Sequence, residues 1–186
     1  LENTIGGRVL SKDYVKAATD LAHSKGLATH LDGARIANAA VKQGVTLREV
    51  VKGFDTVSVC LSKGLGAPVG SVLLGPKAFI EQGKRWRKML GGGMRQAGVL
   101  AAAAQYALEN NVTRLADDHA NAAELARGLS QIGQLKVGTP QTNIFWLDIP
   151  QAACEPLRQA LARAQIRASI GPRTRLVTHL DVSAQD

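Results

Sequence analysis

Thr56-Val57-Ser58-Val59-Cys60-Leu61 runs directly into Ser62-Lys63-Gly64-Leu65-Gly66-Ala67-Pro68-Val69-Gly70-Ser71. The first six residues are mostly apolar and β-prone, and they read as a buried strand. The next ten form a glycine-rich turn that carries one lysine, with no acidic neighbour in sequence. A chain presents an amine to an aldehyde cofactor in this way. Upstream, Leu27-Ala28-Thr29-His30-Leu31 reads as a second strand, closed by Asp32 and Gly33. One strand end bears an amine and the other a carboxylate. The pair suggests pyridoxal 5'-phosphate, with Lys63 for the Schiff base and Asp32 for the pyridine nitrogen.

Working outward, helix and strand signals alternate. A helix is expected over about Ser11–Ser24, capped by Ser11 and ended by Gly26, with Tyr14, Val15, Ala18, Leu21 and Ala22 at helical spacing. A second helix runs through Ile36, Ala39, Ala40 and Val41 to Gly44, and a short third spans Thr46 to Lys52. After the Lys63 turn, Ser71–Gly75 reads as a strand. Pro76 stands where a first helical residue belongs, and a basic helix follows to about Leu90. Such alternation predicts an α/β fold with a mostly parallel sheet covered by helices.

Gly91-Gly92-Gly93 breaks the chain. An Ala-rich helix is expected from about Met94 to Asn110, then a second long helix over Val112–Ile132, whose Leu115, Ala122, Leu125, Ala126 and Leu129 keep rough helical spacing. Beyond it the pattern changes. Asn143–Ile149 reads as a strand closed by Pro150, Cys154–Gln165 as a helix, and Ile166–Ser169 and Arg175–Leu180 as strands. The expected organisation is a large domain over 1–110, a connecting helix over 111–132, and a small α+β domain over 133–186. The first residues, Leu1-Glu2-Asn3-Thr4, read as a strand end entering a turn. Ser183 reads as the cap of a helix that does not follow, so both ends are expected to be cut through structure.

The chain has 186 residues, 45% of them hydrophobic, enough for a real core. No stretch is long and apolar enough to span a bilayer, and the N-terminus lacks a signal-peptide pattern. Cys60 and Cys154 do not make a disulfide framework, so a reducing, cytoplasmic setting is expected. Cys60 is expected to be a buried, inert thiol. The net charge is +8. The basic residues are spread out except for Lys84-Arg85-Trp86-Arg87-Lys88, which reads as a solvated helix face more readily than as a nucleic-acid stripe.

Each site candidate has a plain alternative. Lys63 is a Schiff-base lysine or an ordinary turn lysine; Gly64 and Gly66 leave its amine unobstructed and let backbone approach a ligand. Ser62 reaches a phosphate or bonds within its turn. Asp32 holds a pyridinium proton or pairs with Arg35, three residues on.

Three stretches closely resemble the low-specificity L-threonine aldolases: His30-Leu31-Asp32-Gly33-Ala34-Arg35-Ile36, Cys60 through Ser71, and Arg85-Trp86-Arg87-Lys88-Met89-Leu90-Gly91-Gly92-Gly93-Met94-Arg95-Gln96. Leu1–Thr4 and Arg175-Leu176-Val177-Thr178-His179-Leu180-Asp181-Val182 extend the match in the same order. The resemblance implies a fold type I, pyridoxal 5'-phosphate-dependent enzyme of the aspartate aminotransferase superfamily. It implies a homodimer or homotetramer with sites at the subunit interface, and no metal, nucleic-acid or membrane role. Lys63 falls on the family's Schiff-base lysine and Asp32 on the acid facing the pyridine nitrogen. Arg35 falls beside cofactor and substrate, and Arg175 on the arginine that grips the substrate carboxylate; otherwise Arg175 reads as a strand-surface cation. Ser62 and Arg95 are implied near the cofactor, and Lys88 near the substrate.

Ile5 departs from the resemblance, since many members carry histidine there. The family's phosphate-cradling turn, a cofactor-stacking histidine and a histidine serving the β-hydroxyl would all precede Leu1. His23 and His119 are read as surface residues, His30 as packed, and His179 as structural. The implied reaction is retro-aldol cleavage of L-threonine or L-allo-threonine to glycine and an aldehyde, with the isolated 186-residue piece weak or inactive. A β-eliminating lyase of the same fold type, and a non-catalytic basic module using Lys84–Lys88, are the rival expectations.

Overall fold

The computed structural model describes Glu2, Asn3 and residues 5–186; Leu1 and Thr4, part of the expected N-terminal turn, lie outside the described residues. The elements run in the order β1 (Glu2–Asn3), β2 (Arg8–Val9), α1 (Lys12–Ser24), β3 (His30–Gly33), α2 (Ile36–Gln43), α3 (Leu47–Val50), β4 (Thr56–Cys60), β5 (Ser71–Leu74), α4 (Lys77–Met89), α5 (Gly98–Asn110), α6 (Leu115–Leu129), β6 (Lys136–Val137), β7 (Ile144–Asp148), α7 (Gln151–Arg163) and β8 (Arg173–Val177). The chain falls into two units. The first takes Glu2, Asn3 and Val9–Ala116; the second takes Ile5–Arg8 and Asp117–Asp186. The division lies inside α6. No helix among the described residues is long and apolar enough to cross a membrane.

Local chemistry sets the helices of the first unit. Ser11 accepts the Tyr14 amide at 3.3 Å and starts α1. Thr46 and Glu49 close a reciprocal capping box on α3, a device worth about 1 kcal/mol. Gly44 ends α2 at φ +62°, where a Cβ would strain the backbone. Pro76 sits at the N-cap of α4 rather than at its first helical position.

The sheet of this unit has the order β3-β4-β5. β3 pairs parallel with β4, Asp32 opposite Ser58 and Gly33 opposite Val59. β4 pairs antiparallel with β5, Val59 opposite Val72 and Cys60 opposite Ser71. The mostly parallel expectation is thereby corrected to a mixed sheet. The physical reason is the connection: residues 61–70 hold turns and no helix, too short for a crossover, so the chain returns alongside itself. Val15, Leu31, Ile36, Ala39, Ala40, Val50 and Val57 form the core between this sheet and helices α1 to α3. Tyr14 and Leu21, counted among the apolar positions of α1, are exposed.

β3 also begins three residues later than the apolar run suggests. The Thr29 amide does not enter the ladder; it donates to Asp55 Oδ2 at 2.7 Å, and the Thr29 hydroxyl donates to the same oxygen at 2.9 Å. His23 Nε2 lies 3.0 Å from it, so His23 is a bonded member of this cluster. Together these partners, the Thr29 amide foremost, lower the Asp55 carboxyl to about 2. A depressed carboxylate stabilises the fold fully above its unfolded value, near 4, and loses that contribution as pH falls toward 2. The urea midpoint should therefore fall more steeply between pH 4 and pH 2 in the wild type than in Asp55→Asn. Equal slopes would remove Asp55 from acid sensitivity.

The second unit is an antiparallel sheet, β6-β7-β8, with α6 and α7. Phe145 packs with Ala122 and Ala126, and Leu147 and Ile149 with Cys154. Ile5–Arg8 joins it because the Gly7 carbonyl accepts the Thr142 hydroxyl at 2.9 Å. Ile166–Ser169, expected as a strand, is irregular, and β8 starts at Arg173. β6 was too short to show in the residue pattern. In α6 the apolar stripe is interrupted by Asp118, which is fully buried, while Leu125 is exposed.

Candidate functional site

Parallel pairing brings two of the expected residues to one edge. β3 and β4 run the same way, so both reach their carboxyl ends on the same side of the sheet. Asp32 is the penultimate residue of β3, and Lys63 follows β4 by three residues. Arg35, at the N-cap of α2, lies two residues beyond the end of β3 on that edge. Ligands of open α/β sheets bind at this edge, outside the carboxyl ends of the strands. Asp32, Ser62 and Lys63 all have exposed side chains, and Arg35 is half-buried.

Gly33 makes the close pairing possible. A Cβ there would come within 2.5 Å of the Ser58 carbonyl oxygen. The β3–β4 spacing at the residue after Asp32 therefore excludes any side chain.

The lysine turn is built to hold Lys63 outward. Its carbonyl accepts the Gly66 amide at 2.8 Å, and Gly66 sits at φ +75°. The Ala67 amide donates to the Leu61 carbonyl at 3.0 Å, and the Leu61 amide to the Gly70 carbonyl at 3.0 Å. Leu65 and Ala67 plunge into a second core with Leu61, Ala37, Ala107 and Leu115. Asn111 donates to the Leu65 carbonyl at 2.7 Å. A Cβ on Gly64 would meet Leu115 at 2.9 Å. Sequence reasoning missed these anchors. Their only signal is the alternation of glycine with small apolar residues in Gly64-Leu65-Gly66-Ala67.

Cys60 differs from its expected role as a buried, inert thiol. It is half-buried, with Sγ 3.7 Å from Ser62 Oγ. Burial pushes the thiol up, but bonds to Ser62 and the nearby Lys63 charge outweigh it and hold Cys60 below its ordinary value. Ser62 thus bonds locally, as its plain reading allowed. His30, read as packed, is exposed and bonds Thr56 Oγ1 at 2.8 Å.

Lys88 and Arg95 lie on a separate stretch. A Cβ on Gly75 would meet Phe79 and Thr56, and one on Gly83 would meet Leu73, so α4 runs back along β5 from the sheet's other edge. Lys88, near its end, donates to the Gly93 carbonyl at 3.2 Å. Arg95 is exposed in the following turn. No residue of α4 is buried, and Lys84 pairs with Glu81 at 2.9 Å. Arg175 belongs to the second unit. It lies in β8 opposite Trp146, with its side chain exposed.

The donor set fits pyridoxal 5'-phosphate. An outward amine and an outward carboxylate share a strand-end edge, and the amine rises from a turn where glycines keep backbone close. The family model described as Beta-eliminating lyase matches residues 1–152. The chain is 46% identical over 185 residues to the low specificity L-threonine aldolase of Escherichia coli (strain K12), covering all of this chain and 55% of that protein. It is 44% identical over 196 residues to low-specificity L-threonine aldolase 1 of Arabidopsis thaliana, with the same coverage. Its fold is similar to that of a solved threonine aldolase of Leishmania major, with a TM-score of 0.77, 18% identity, and coverage of 98% of this chain and 55% of that one. The chain spans about half the length of the curated relatives it matches.

Proposed function

The chain belongs to the beta-eliminating lyase family, and from that premise we propose that its protein cleaves L-threonine, L-allo-threonine and related β-hydroxy-α-amino acids to glycine and an aldehyde. The observation that carries the reading is the shared strand-end edge of Asp32 and Lys63, together with relatives that are low-specificity L-threonine aldolases. The first unit contributes the cofactor-binding part of a large domain and the second a small domain. The working enzyme is a cytoplasmic homodimer or homotetramer.

Pyridoxal 5'-phosphate, when bound, supplies an electron-accepting ring for the charge left at Cα as the Cα–Cβ bond breaks. Lys63 would hold the cofactor through its ε-amine. Asp32 holds a proton on the pyridine nitrogen by charge. Arg35, Ser62 and Arg95 bind the cofactor's polar groups, and Lys88 and Arg35 border the substrate. Arg175 would take the substrate carboxylate in a two-pronged contact that orients the substrate.

The test is direct. The complete protein should be yellow, should lose that colour to a borohydride-fixed product, and should release acetaldehyde and glycine from L-threonine. A colourless protein that yields no aldehyde overturns the reading. Release of ammonia and a keto acid instead would favour a β-eliminating lyase.

Arg175→Lys should raise KM for threonine about ten- to a hundredfold while the cofactor's visible band stays intact. Lysine keeps the charge but loses the planar fork, a loss on the order of 1–3 kcal/mol. Unchanged threonine kinetics, or a bleached cofactor, would remove Arg175 from the carboxylate role.

A further inference from the structure

The lysine turn leans on a residue far along the chain. Lys63, Gly64, Leu65 and Gly66 make a reverse turn, closed by the Gly66 amide donating to the Lys63 carbonyl at 2.8 Å. The peptide unit between Leu65 and Gly66 is gripped at both poles. Its N–H is that same Gly66 amide, and its carbonyl accepts Asn111 Nδ2 at 2.7 Å. A peptide unit is planar, so its two poles turn together. A rotation that frees the Leu65 carbonyl also breaks the bond to Lys63. Gly66 sits at φ +75°, and a glycine leaves such a conformation more easily than any other residue. Asn111 supplies the restraint that the glycine lacks.

Asn111 is itself held in place. It ends α5, where its backbone amide donates to the Ala107 carbonyl at 2.9 Å. Ala107 and Leu115, on either side of it in the chain, are buried in the same core as Leu65 and Ala67. Asn111 is half-buried, and a carbonyl that loses its donor in such a place is costly to leave unpaired. We propose that Asn111 is a positioning residue for Lys63: it locks the Leu65–Gly66 peptide, and through it the backbone from which the cofactor-binding amine rises. The inference rests on the cofactor reading of Lys63. The covalent contact forms between the Lys63 nitrogen and the aldehyde carbon, and the aldehyde oxygen leaves as water. That bond needs the amine at one point and in one direction, so a loose origin weakens it. Contacts to the cofactor's phosphate and ring do not depend on that origin.

The experiment uses the complete protein and two ligands, pyridoxal 5'-phosphate and pyridoxine 5'-phosphate. The second has an alcohol in place of the aldehyde and cannot bond to a lysine. In Asn111→Ala, affinity for the aldehyde ligand should fall about five- to thirtyfold, and affinity for the alcohol should stay within about twofold. Exchange of the Gly66 amide in cofactor-free protein should quicken about tenfold or more. Asn111→Asp keeps the shape, loses the donor and should behave alike. Val112→Ala loosens the same core without touching the bond. It should lower the unfolding midpoint yet keep the wild-type preference for the aldehyde. Equal weakening of both ligands, unchanged Gly66 exchange, or the same lost preference in Val112→Ala overturns the inference. Failure of both Asn111 variants to fold overturns it too, since the residue is then structural. Lys63→Ala separates the two readings. If it keeps the preference for the aldehyde, the reading of Lys63 has failed. If it abolishes that preference while the Asn111 variants retain it, only the role of Asn111 is wrong.

Discussion

Lys63→Ala in the complete protein is expected to abolish the covalently held visible band and to lower threonine cleavage on the order of 10³- to 10⁶-fold, the range seen when an enzyme loses its covalent group. The fold should survive the change. The turn is held by the Lys63 carbonyl, the Gly66 amide and the buried Leu65 and Ala67, none of which the substitution touches, and the Lys63 side chain is exposed. Purified variant protein should be colourless after dialysis, with an unfolding midpoint like that of the wild type. Borohydride fixation followed by peptide mapping is the decisive measurement. Recovery of the cofactor on a peptide carrying a different lysine would defeat the assignment.

Asp32→Asn comes second in size. An amide is nearly isosteric with the carboxylate but cannot hold a proton on the pyridine nitrogen by charge. The ring's demand for electrons peaks as the Cα–Cβ bond breaks, so the loss should fall mainly on kcat. Removing one such electrostatic partner costs about 10²- to 10³-fold. Asp32 is exposed at the end of β3, and its backbone pairing with Ser58 does not use the carboxylate. The variant should fold and keep its cofactor. Equal kcat in variant and wild type would take Asp32 out of this role.

Much of the candidate site was legible because its signals are local. A lysine among glycines after an apolar run, and an acid before a glycine after another, are visible within ten residues. Ser11 was legible as a cap for the same reason, since a side-chain oxygen satisfies amides two or three residues away. The less legible parts depend on partners far along the chain. The surroundings of Cys60 include Ser71, brought opposite it by the β4–β5 pairing. The brace on the lysine turn comes from Asn111 and Leu115, about fifty residues later. His23, which looks like a surface helix residue, is tied to Asp55, thirty-two residues on.

The sequence by itself determined the α/β alternation, the Ser11 cap of α1 and the lysine turn. All of these follow from periodicity, from glycine and proline backbone limits, and from short-range hydrogen bonding. Tertiary structure alone decided the antiparallel return of β5, the late start of β3, and which apolar residues are buried. It also decided that Ile5–Arg8 packs with the second unit and that Asn111 reaches the lysine turn. Each depends on which strand pairs with which, and in what register. A one-residue change of register would carry every side chain of a strand to the other face, and that choice is made by the whole set of long-range contacts, not by any single stretch of chain.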